Sequence, residues 1–266
     1  MMSTVASAQV LGWSDAFAEL AGRVVLVTGA SSGIGAAVAR GFAACGARVV
    51  VHYHAGEEAA RSLADEIGAG ALVEAADLSR PGEAPRLVAR VAERAGRLDV
   101  VVNNAGALFG RVPFGEISDG LFRQLIDLNV TSVFEACRAA LPIFRGQQSG
   151  CVINTTSIAA RNGGGPGTVA YATSKGAVST LTRGLAREWA PENFRVNAVA
   201  PGIIATPLHD RHTPPDVLET LRQSIPMRRL GTPDDCVGAF LFLACERLSC
   251  FVTGQVIEVN GGQLTP

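Results

Sequence analysis

Seven short runs of apolar and β-branched residues recur along the chain, with longer mixed stretches between them. They read "RVVLVTG" from Arg23, "ARVVVHYH" from Ala47, "GALVEAADL" from Gly70 and "RLDVVVNNAG" from Arg97. "GCVINTTS" from Gly150, "FRVNAVAPG" from Phe194 and "GQVIEVNGG" from Gly254 complete the set. Nearly every residue in the centres of these runs is apolar, as expected of strands covered on both faces. Between them, stretches such as "GIGAAVARGFAACG" and "EEAARSLADEI" are long enough for crossover helices. Strand–helix–strand repetition predicts an α/β fold: a single doubly wound domain with a seven-stranded parallel sheet and helices on both faces. No Pro/Ser-rich linker and no internal repeat divides the chain. Residues 1–21 are expected as an N-terminal extension and residues 22–266 as the domain.

One segment breaks the alternation. "HDRHTPPDVLETLRQSIPM", from His209, follows a strand end and carries two prolines and then an amphipathic helix. Ligands of open α/β sheets bind beyond the carboxyl ends of the strands. A segment inserted there, at about residues 203–227, is expected to be a substrate lid.

Composition narrows the function classes. The chain has 266 residues, is 48% apolar and carries a net charge of −1. That balance argues against nucleic acid as a partner, since neutralising phosphates needs a basic face. No apolar run approaches the roughly 20 residues that cross a bilayer, and the N-terminus lacks a basic region before an apolar core. No membrane partner is therefore expected. The six cysteines show no CxxC pair and no His/Cys ligand spacing. They fit small core residues in a reducing compartment, which makes the expected location cytoplasmic. His209, Asp210 and His212 lie close together, but without a further ligand they do not make a metal site, and no metal is expected. Trp13 and Trp189 read as packing residues.

Two motifs carry chemistry. "VTGASSGIGAA" follows the first strand and opens the first helix, with Gly29, Gly33 and Gly35 spaced G-x-x-x-G-x-G. Glycine here permits a tight turn, close approach of the backbone to a pyrophosphate and close packing of helix on sheet. The helix N-terminus then offers free N–H groups to phosphates. No Gly-Lys-[Ser/Thr] follows, which excludes a nucleoside-triphosphate loop of the Walker type. The second motif is "YATSK", Tyr171 to Lys175, in a chain with only two tyrosines. Residues four apart share a helix face. A cation about 5 Å from a phenol, at an effective dielectric of about 20, favours the phenolate by roughly 3 kcal/mol. Lys175 is therefore expected to lower the Tyr171 pKa and fit it for proton exchange. Taken alone, these five residues read as an ordinary pair on a surface helix, and the rest of the chain has to decide.

With the glycine turn, "NNAG" and "YATSK" in that order, the sequence resembles the short-chain dehydrogenase/reductase family from about Arg23 to Gly262. The resemblance implies a Rossmann-type fold and oxidoreductase activity that interconverts a carbonyl and a secondary alcohol. Its residues carry over as follows. Tyr171 is the general acid/base. Lys175 lowers its pKa and bonds the nicotinamide ribose. Ser157 in "INTTSIAA" holds the substrate oxygen, and Asn129 in "LIDLNVTSVF" joins a water-mediated proton relay. Thr155 or Thr156 could be miscounted for Ser157, because the Ser–Tyr gap is a residue longer than usual. The loop "NGGGPG" would absorb that length. An asparagine within a helix can also simply bond backbone.

Cofactor contacts implied by the resemblance fall on Gly29, Ser31, Ser32, Gly33, Ile34 and Gly35 of the turn. They continue with Asp77 and Leu78 at the adenine, Asn104, Ala105 and Gly106 of "NNAG", Tyr171 and Lys175, then Pro201, Gly202, Ile204 and Thr206 of "APGIIAT". An acid at the end of the second strand would bond the ribose 2′-hydroxyl and repel a 2′-phosphate. Here His52 stands in that position, and no carboxylate appears before Glu57. This favours NADP(H), with Ser32, Tyr53 and His54 as donors to the phosphate, and leaves NAD(H) open.

Within the family, the chain resembles 3-oxoacyl-carrier-protein reductases and glucose-dehydrogenase-like members. A 3-oxoacyl thioester is one substrate class. "FRGQQSG" and "WAPENF" leave only Arg145 where an acidic carrier protein would dock, so a small free ketone or alcohol is the other. A non-catalytic nucleotide-binding regulator or scaffold is the alternative from a different class. The intact set Asn129, Ser157, Tyr171 and Lys175 favours an enzyme. A homo-oligomer, by family analogy a tetramer on the Asn- and Tyr-bearing helices, is expected.

Overall fold

The computed structural model describes residues 16–68, 70–206 and 215–265. Its strands are β1 Val24–Val27, β2 Arg48–Tyr53, β3 Leu72–Ala75, β4 Val100–Asn103, β5 Cys151–Thr155, β6 Arg195–Pro201 and β7 Val256–Val259. They form a seven-stranded sheet in the order β3-β2-β1-β4-β5-β6-β7, and every neighbouring pair is parallel. The expected doubly wound architecture is the one observed. The order reverses between β1 and β4, and a crevice opens there beyond the strand ends.

Strand period sorts the core into two layers. Val25, Val27, Val49 and Val51 pack on one face with Phe42 of α1 (Gly33–Ala44), Ala60 and Leu63 of α2 (Glu57–Ile67), and Phe240 of the helix Pro233–Ala244. Val24, Leu26, Val50, Val101, Val152 and Val196 face the other way. Their partners include Leu87 of α3 (Glu83–Ala95), Phe144 of α5 (Ser132–Gln147) and Val178 and Trp189 of α7 (Val169–Trp189). Trp189 is 2% exposed and belongs to this layer, in the packing role expected of it. Central strands are buried along their length, whereas the edge strands β3 and β7 are only partly covered.

Part of the expected extension is described. Ala16 and Leu20 are buried, and Ala16 accepts a bond from the Cys245 thiol, so residues 16–21 pack on the domain. In the expected lid, a helix spans Pro215–Ser224, with Ile225 buried behind it. His209, Asp210 and His212 lie outside the described residues, as does Trp13.

Candidate active site

A cleft of about 980 Å³ lies over the carboxyl ends of the strands. Its size is at the upper end of the roughly 300–1,000 Å³ typical of ligand sites. One wall is the glycine turn. Gly29 and Gly33 have φ of +64° and +56°, the left-handed region that glycine enters without strain. A Cβ at Gly35 would stand 2.3 Å from the Gly29 carbonyl oxygen, so Gly35 lets α1 lie against the turn. Gly35 does not itself line the cleft; its part in the expected contact set is packing. Ser32 caps α1 without a side-chain hydrogen bond to the helix, which leaves first-turn N–H groups for an anion.

The "NNAG" segment is sewn to this turn. The Thr28 hydroxyl oxygen accepts the N–H groups of Asn104 and Ala105, both at 2.9 Å, and the Asn104 amide donates to the Thr28 carbonyl at 3.0 Å. Gly106 makes room for the next layer: a Cβ there would lie 3.0 Å from Asn129 Oδ1 and 3.2 Å from Lys175 Nζ. These are cradles that a side chain would fill, and together with the uncapped helix terminus they fit an extended dinucleotide.

Four side chains expected to carry chemistry stand around the carboxyl end of β5. Ser157 follows β5 and accepts the Ala159 N–H at 3.1 Å, and its hydroxyl is near enough to Tyr171, two residues into α7, to favour the phenolate. Thr156 is turned away, donating to the Lys175 carbonyl at 2.9 Å and bonding Ser179 at 2.8 Å. Thr155 Oγ1 is buried, has no partner, and its residue lines the cleft. The hydroxyl that acts on Tyr171 is thus that of Ser157.

Lys175 is 4% exposed and donates from Nζ to the Thr155 carbonyl at 2.9 Å. Its Nζ lies 5.8 Å from the centre of the Tyr171 ring. The electrostatics differ from expectation. Burial pushes the Tyr171 pKa up, opposed by the nearby Ser157 hydroxyl, and burial also pushes Lys175 down to about 8. Removing both groups from water costs more than their mutual arrangement returns, because the ammonium is aimed at a carbonyl and at the ring face instead of at the phenol oxygen.

Asn129 is fully buried on a single π-helical turn, Asp127–Thr131, between α4 (Asp119–Ile126) and α5. Its amide donates to the Ala107 carbonyl at 2.9 Å and to Ser174 Oγ at 3.0 Å, while Oδ1 accepts from Ala107 N–H at 2.9 Å. Both amide donors are spent on Ala107 and Ser174, which holds the segment after β4 against α7.

Beyond the ends of β2 and β3, Asp77, Leu78 and His54 line the cleft. Asp77 is held below the usual carboxylate range, first by the Ser79 hydroxyl at 2.6 Å, with His54 and Arg80 beside it. Tyr53 does not join them. It is 8% exposed and packs with Val51, Ala60 and Leu63, because strand period turns odd positions of β2 toward α2. Its expected contact with a phosphate is withdrawn. His52 lines the cleft, with both ring nitrogens engaged internally by Gly29 and Ala76. Ser31, Ser32, Gly33, Ile34, Asn104, Ala105, Gly106, Pro201, Gly202, Ile204 and Thr206 all line the cleft, as do Ser157, Tyr171 and Lys175.

The cleft is also lined by residues that no motif flagged. Leu108, Phe109, Val217 and Leu221 supply apolar wall, and Arg111 donates to the Pro166 carbonyl at 3.2 Å. The available signal was position alone, since "ALFGR" leaves the carboxyl end of β4 directly after the glycine of "NNAG". No cluster of three His, Cys, Asp or Glu that could hold a metal occurs among the described residues.

The chain is similar to known proteins over most of its length. The sequence model of the family described as enoyl-(acyl carrier protein) reductase matches residues 29–263. The chain is 36% identical over 252 residues to a 3-oxoacyl-[acyl-carrier-protein] reductase of Synechocystis sp., covering 92% of this chain and 98% of that one. A solved structure assigned as an NAD(P)-dependent gluconate 5-dehydrogenase from Beutenbergia cavernae, with NADP bound at low occupancy, is also similar. It superposes with a TM-score of 0.85 at 37% identity, covering 92% of this chain and 97% of that one. An NADH-dependent reductase of alginate metabolism complexed with NAD gives 0.82 at 35% identity, over 94% of this chain and all of the other.

Proposed function

The chain belongs to the short-chain dehydrogenase/reductase family and is a carbonyl/alcohol oxidoreductase of it; from that premise we propose an NADP(H)-dependent enzyme in which Tyr171 is the general acid/base. The observation that carries this reading is the meeting of Ser157, Tyr171 and Lys175 in one cleft, with the Ser157 hydroxyl acting on the phenol and the Lys175 ammonium buried against the tyrosine ring. A dinucleotide bound along the glycine turn would supply hydride transfer to or from the carbonyl carbon. Ser157 holds the substrate oxygen within reach of the phenol. Tyr171 gives that oxygen its proton in reduction and takes it back in oxidation. Lys175 stabilises the tyrosinate that proton donation leaves, and two of its three N–H groups remain for a ribose. Asn129 keeps Gly106 and Ala107 beside Lys175.

NADP(H) is favoured over NAD(H) because β2 ends without a carboxylate, while Ser31, Ser32 and His54 face the cleft as phosphate donors. The substrate is a small free ketone or secondary alcohol. Arg145, the cation left where a carrier protein would dock, is held by Glu192 through two bonds of 2.7 Å, which reduces its pull on an acidic partner. A 3-oxoacyl thioester is the second reading, favoured by the name of the Synechocystis relative. A homotetramer through the Asn- and Tyr-bearing helices fits the exposure of Phe134 and Val169 there. Cytoplasmic location fits four buried free thiols, Cys137, Cys151, Cys236 and Cys245. No helix among the described residues is long and apolar enough to cross a membrane.

The test is a panel of ketones with NADPH and with NADH, following absorbance loss for wild type beside Tyr171→Phe. Turnover with NADPH that Tyr171→Phe abolishes while still binding cofactor supports the reading. Equal inactivity of both proteins on a broad panel, with cofactor bound, supports the regulator or scaffold instead.

A further inference from the structure

His52 lies at the carboxyl end of β2, between β1 and β3, and is 2% exposed. Its Nδ1 accepts the Gly29 N–H at 3.0 Å, and its Nε2 lies 3.2 Å from the Ala76 carbonyl oxygen. A backbone N–H can only donate and a carbonyl can only accept. The tautomer is therefore decided: Nδ1 is bare and Nε2 carries the proton. One ring thus joins the first residue of the glycine turn to the residue before Asp77. Gly29 is confined from its other side as well, since a Cβ there would stand 3.0 Å from Ala105 Cα. Backbone bonds bring the same segments together at the strand ends, Ala30 N–H to His52 O at 2.9 Å and Ala76 N–H to Tyr53 O at 3.1 Å.

We propose that His52 is a positioning residue for the dinucleotide: a neutral imidazole brace that sets the gap between the phosphate-facing turn and the adenine-facing wall at Asp77 and Leu78. The proposal rests on reading the cleft as a dinucleotide site. Only a group with an acceptor on one side and a donor on the other spans this gap. A carboxylate would accept from Gly29 but face the Ala76 carbonyl with a second acceptor. An imidazolium would face the Gly29 N–H with a second donor. Burial opposes that charge first and holds His52 down to about 4, with Ala76 and Glu74 favouring it and His54 and Arg90 opposing it. The brace therefore persists across the neutral range. With both nitrogens spent, His52 cannot read the ribose 2′ position, so discrimination between the two dinucleotides falls to Ser31, Ser32 and His54 at the rim.

The experiment uses the full chain with His52→Leu and His52→Asn, titrating NADPH and NADH by fluorescence and measuring steady-state kinetics. Losing one net buried hydrogen bond corresponds to about a tenfold change in affinity. His52→Leu is expected to raise both Kd and KM for the cofactor about tenfold, with kcat at saturation within about twofold. His52→Asn, whose amide keeps an acceptor and a donor, is expected to recover most of the affinity. Independently, nitrogen NMR of the labelled ring should show neutral Nε2–H at about pH 5.5, below the ordinary histidine value of about 6.5. Unchanged cofactor affinity in both variants, or a ring protonated at Nδ1 in that spectrum, overturns the proposal. If His52→Leu does not fold, the asparagine variant and the spectrum decide. A wild type that takes up neither dinucleotide would sink the reading of the cleft itself. Wild-type binding with indifferent variants sinks only the brace.

Discussion

Lys175 donates from Nζ to the Thr155 carbonyl at 2.9 Å, which holds its ammonium at the end of β5 and 5.8 Å from the centre of the Tyr171 ring. The two side chains share one helix face, yet the cation meets the ring and not the phenol oxygen. The free site is thus poised with a protonated phenol, which suits an acid waiting for a carbonyl.

That arrangement gives a direction to the pH dependence. Burial raises the Tyr171 pKa above its ordinary value of 10.0, so the phenol stays protonated through neutrality. Ketone reduction needs that form and should vary little between about pH 6 and 8. Alcohol oxidation needs the tyrosinate and should accelerate as pH rises. Initial rates in both directions on one substrate pair check this; oxidation that slows with rising alkalinity would contradict it. Tyr171→Phe should cost about 10²–10⁴ in kcat, the usual worth of a positioned acid/base.

Lys175 should be a stability liability at neutral pH. Its folded pKa of about 8 lies below the ordinary 10.5, so the unfolded chain binds the extra proton between those values. Stability contributed by this site therefore rises with pH from about 8 and levels off above 10.5. Lys175→Met should raise the melting temperature at pH 7, by an amount corresponding to at most about 3 kcal/mol. The gap to wild type should narrow toward pH 10. A constant gap across that range would show that the ammonium pays no desolvation penalty.

Gly35→Ala should uncouple folding from binding. The added Cβ would meet the Gly29 carbonyl oxygen at 2.3 Å, an atom of the turn's own backbone. Relief requires α1 to move off the turn, at about 1–3 kcal/mol. Dinucleotide affinity should fall by more than ten-fold while far-ultraviolet circular dichroism is unchanged. Wild-type affinity in this variant would show that the close approach is dispensable.

Arg195 should matter to stability and not to the reaction. Its buried guanidinium donates to the carbonyls of Leu243 and Ala244 and to Ser249, closing the carboxyl end of the helix Pro233–Ala244. Cations there also meet the negative end of the helix dipole. Arg195→Met is expected to cost about 2–4 kcal/mol in urea unfolding. KM for substrate and cofactor should stay within about twofold in the fraction that folds.

Much of this was legible one residue at a time. The apolar runs identified all seven strands, because burial on both faces makes most positions of β1, β4, β5 and β6 apolar; exceptions such as Asn154 and Asn197 are buried and hydrogen-bonded. The glycine turn and "NNAG" were legible because only glycine tolerates Gly29's dihedral angles and the close approach at Gly106. Tyr53 and His52 were not. Whether a side chain at the end of β2 meets the cleft or the core depends on strand phase and on which neighbours stand opposite. Sequence spacing does not carry those facts.

What the sequence by itself determined is the order of elements, the parallel sheet and the identity of the residues that reach its carboxyl edge, since these follow from local periodicity and backbone sterics. Only the tertiary structure decided the electrical state of those residues. It aimed Lys175 at Thr155, tied Asn129 to Ala107 and spent both nitrogens of His52 on backbone. The reason is physical: a pKa depends on water removed and on dipoles brought near in three dimensions, and residues far apart along the chain supply both.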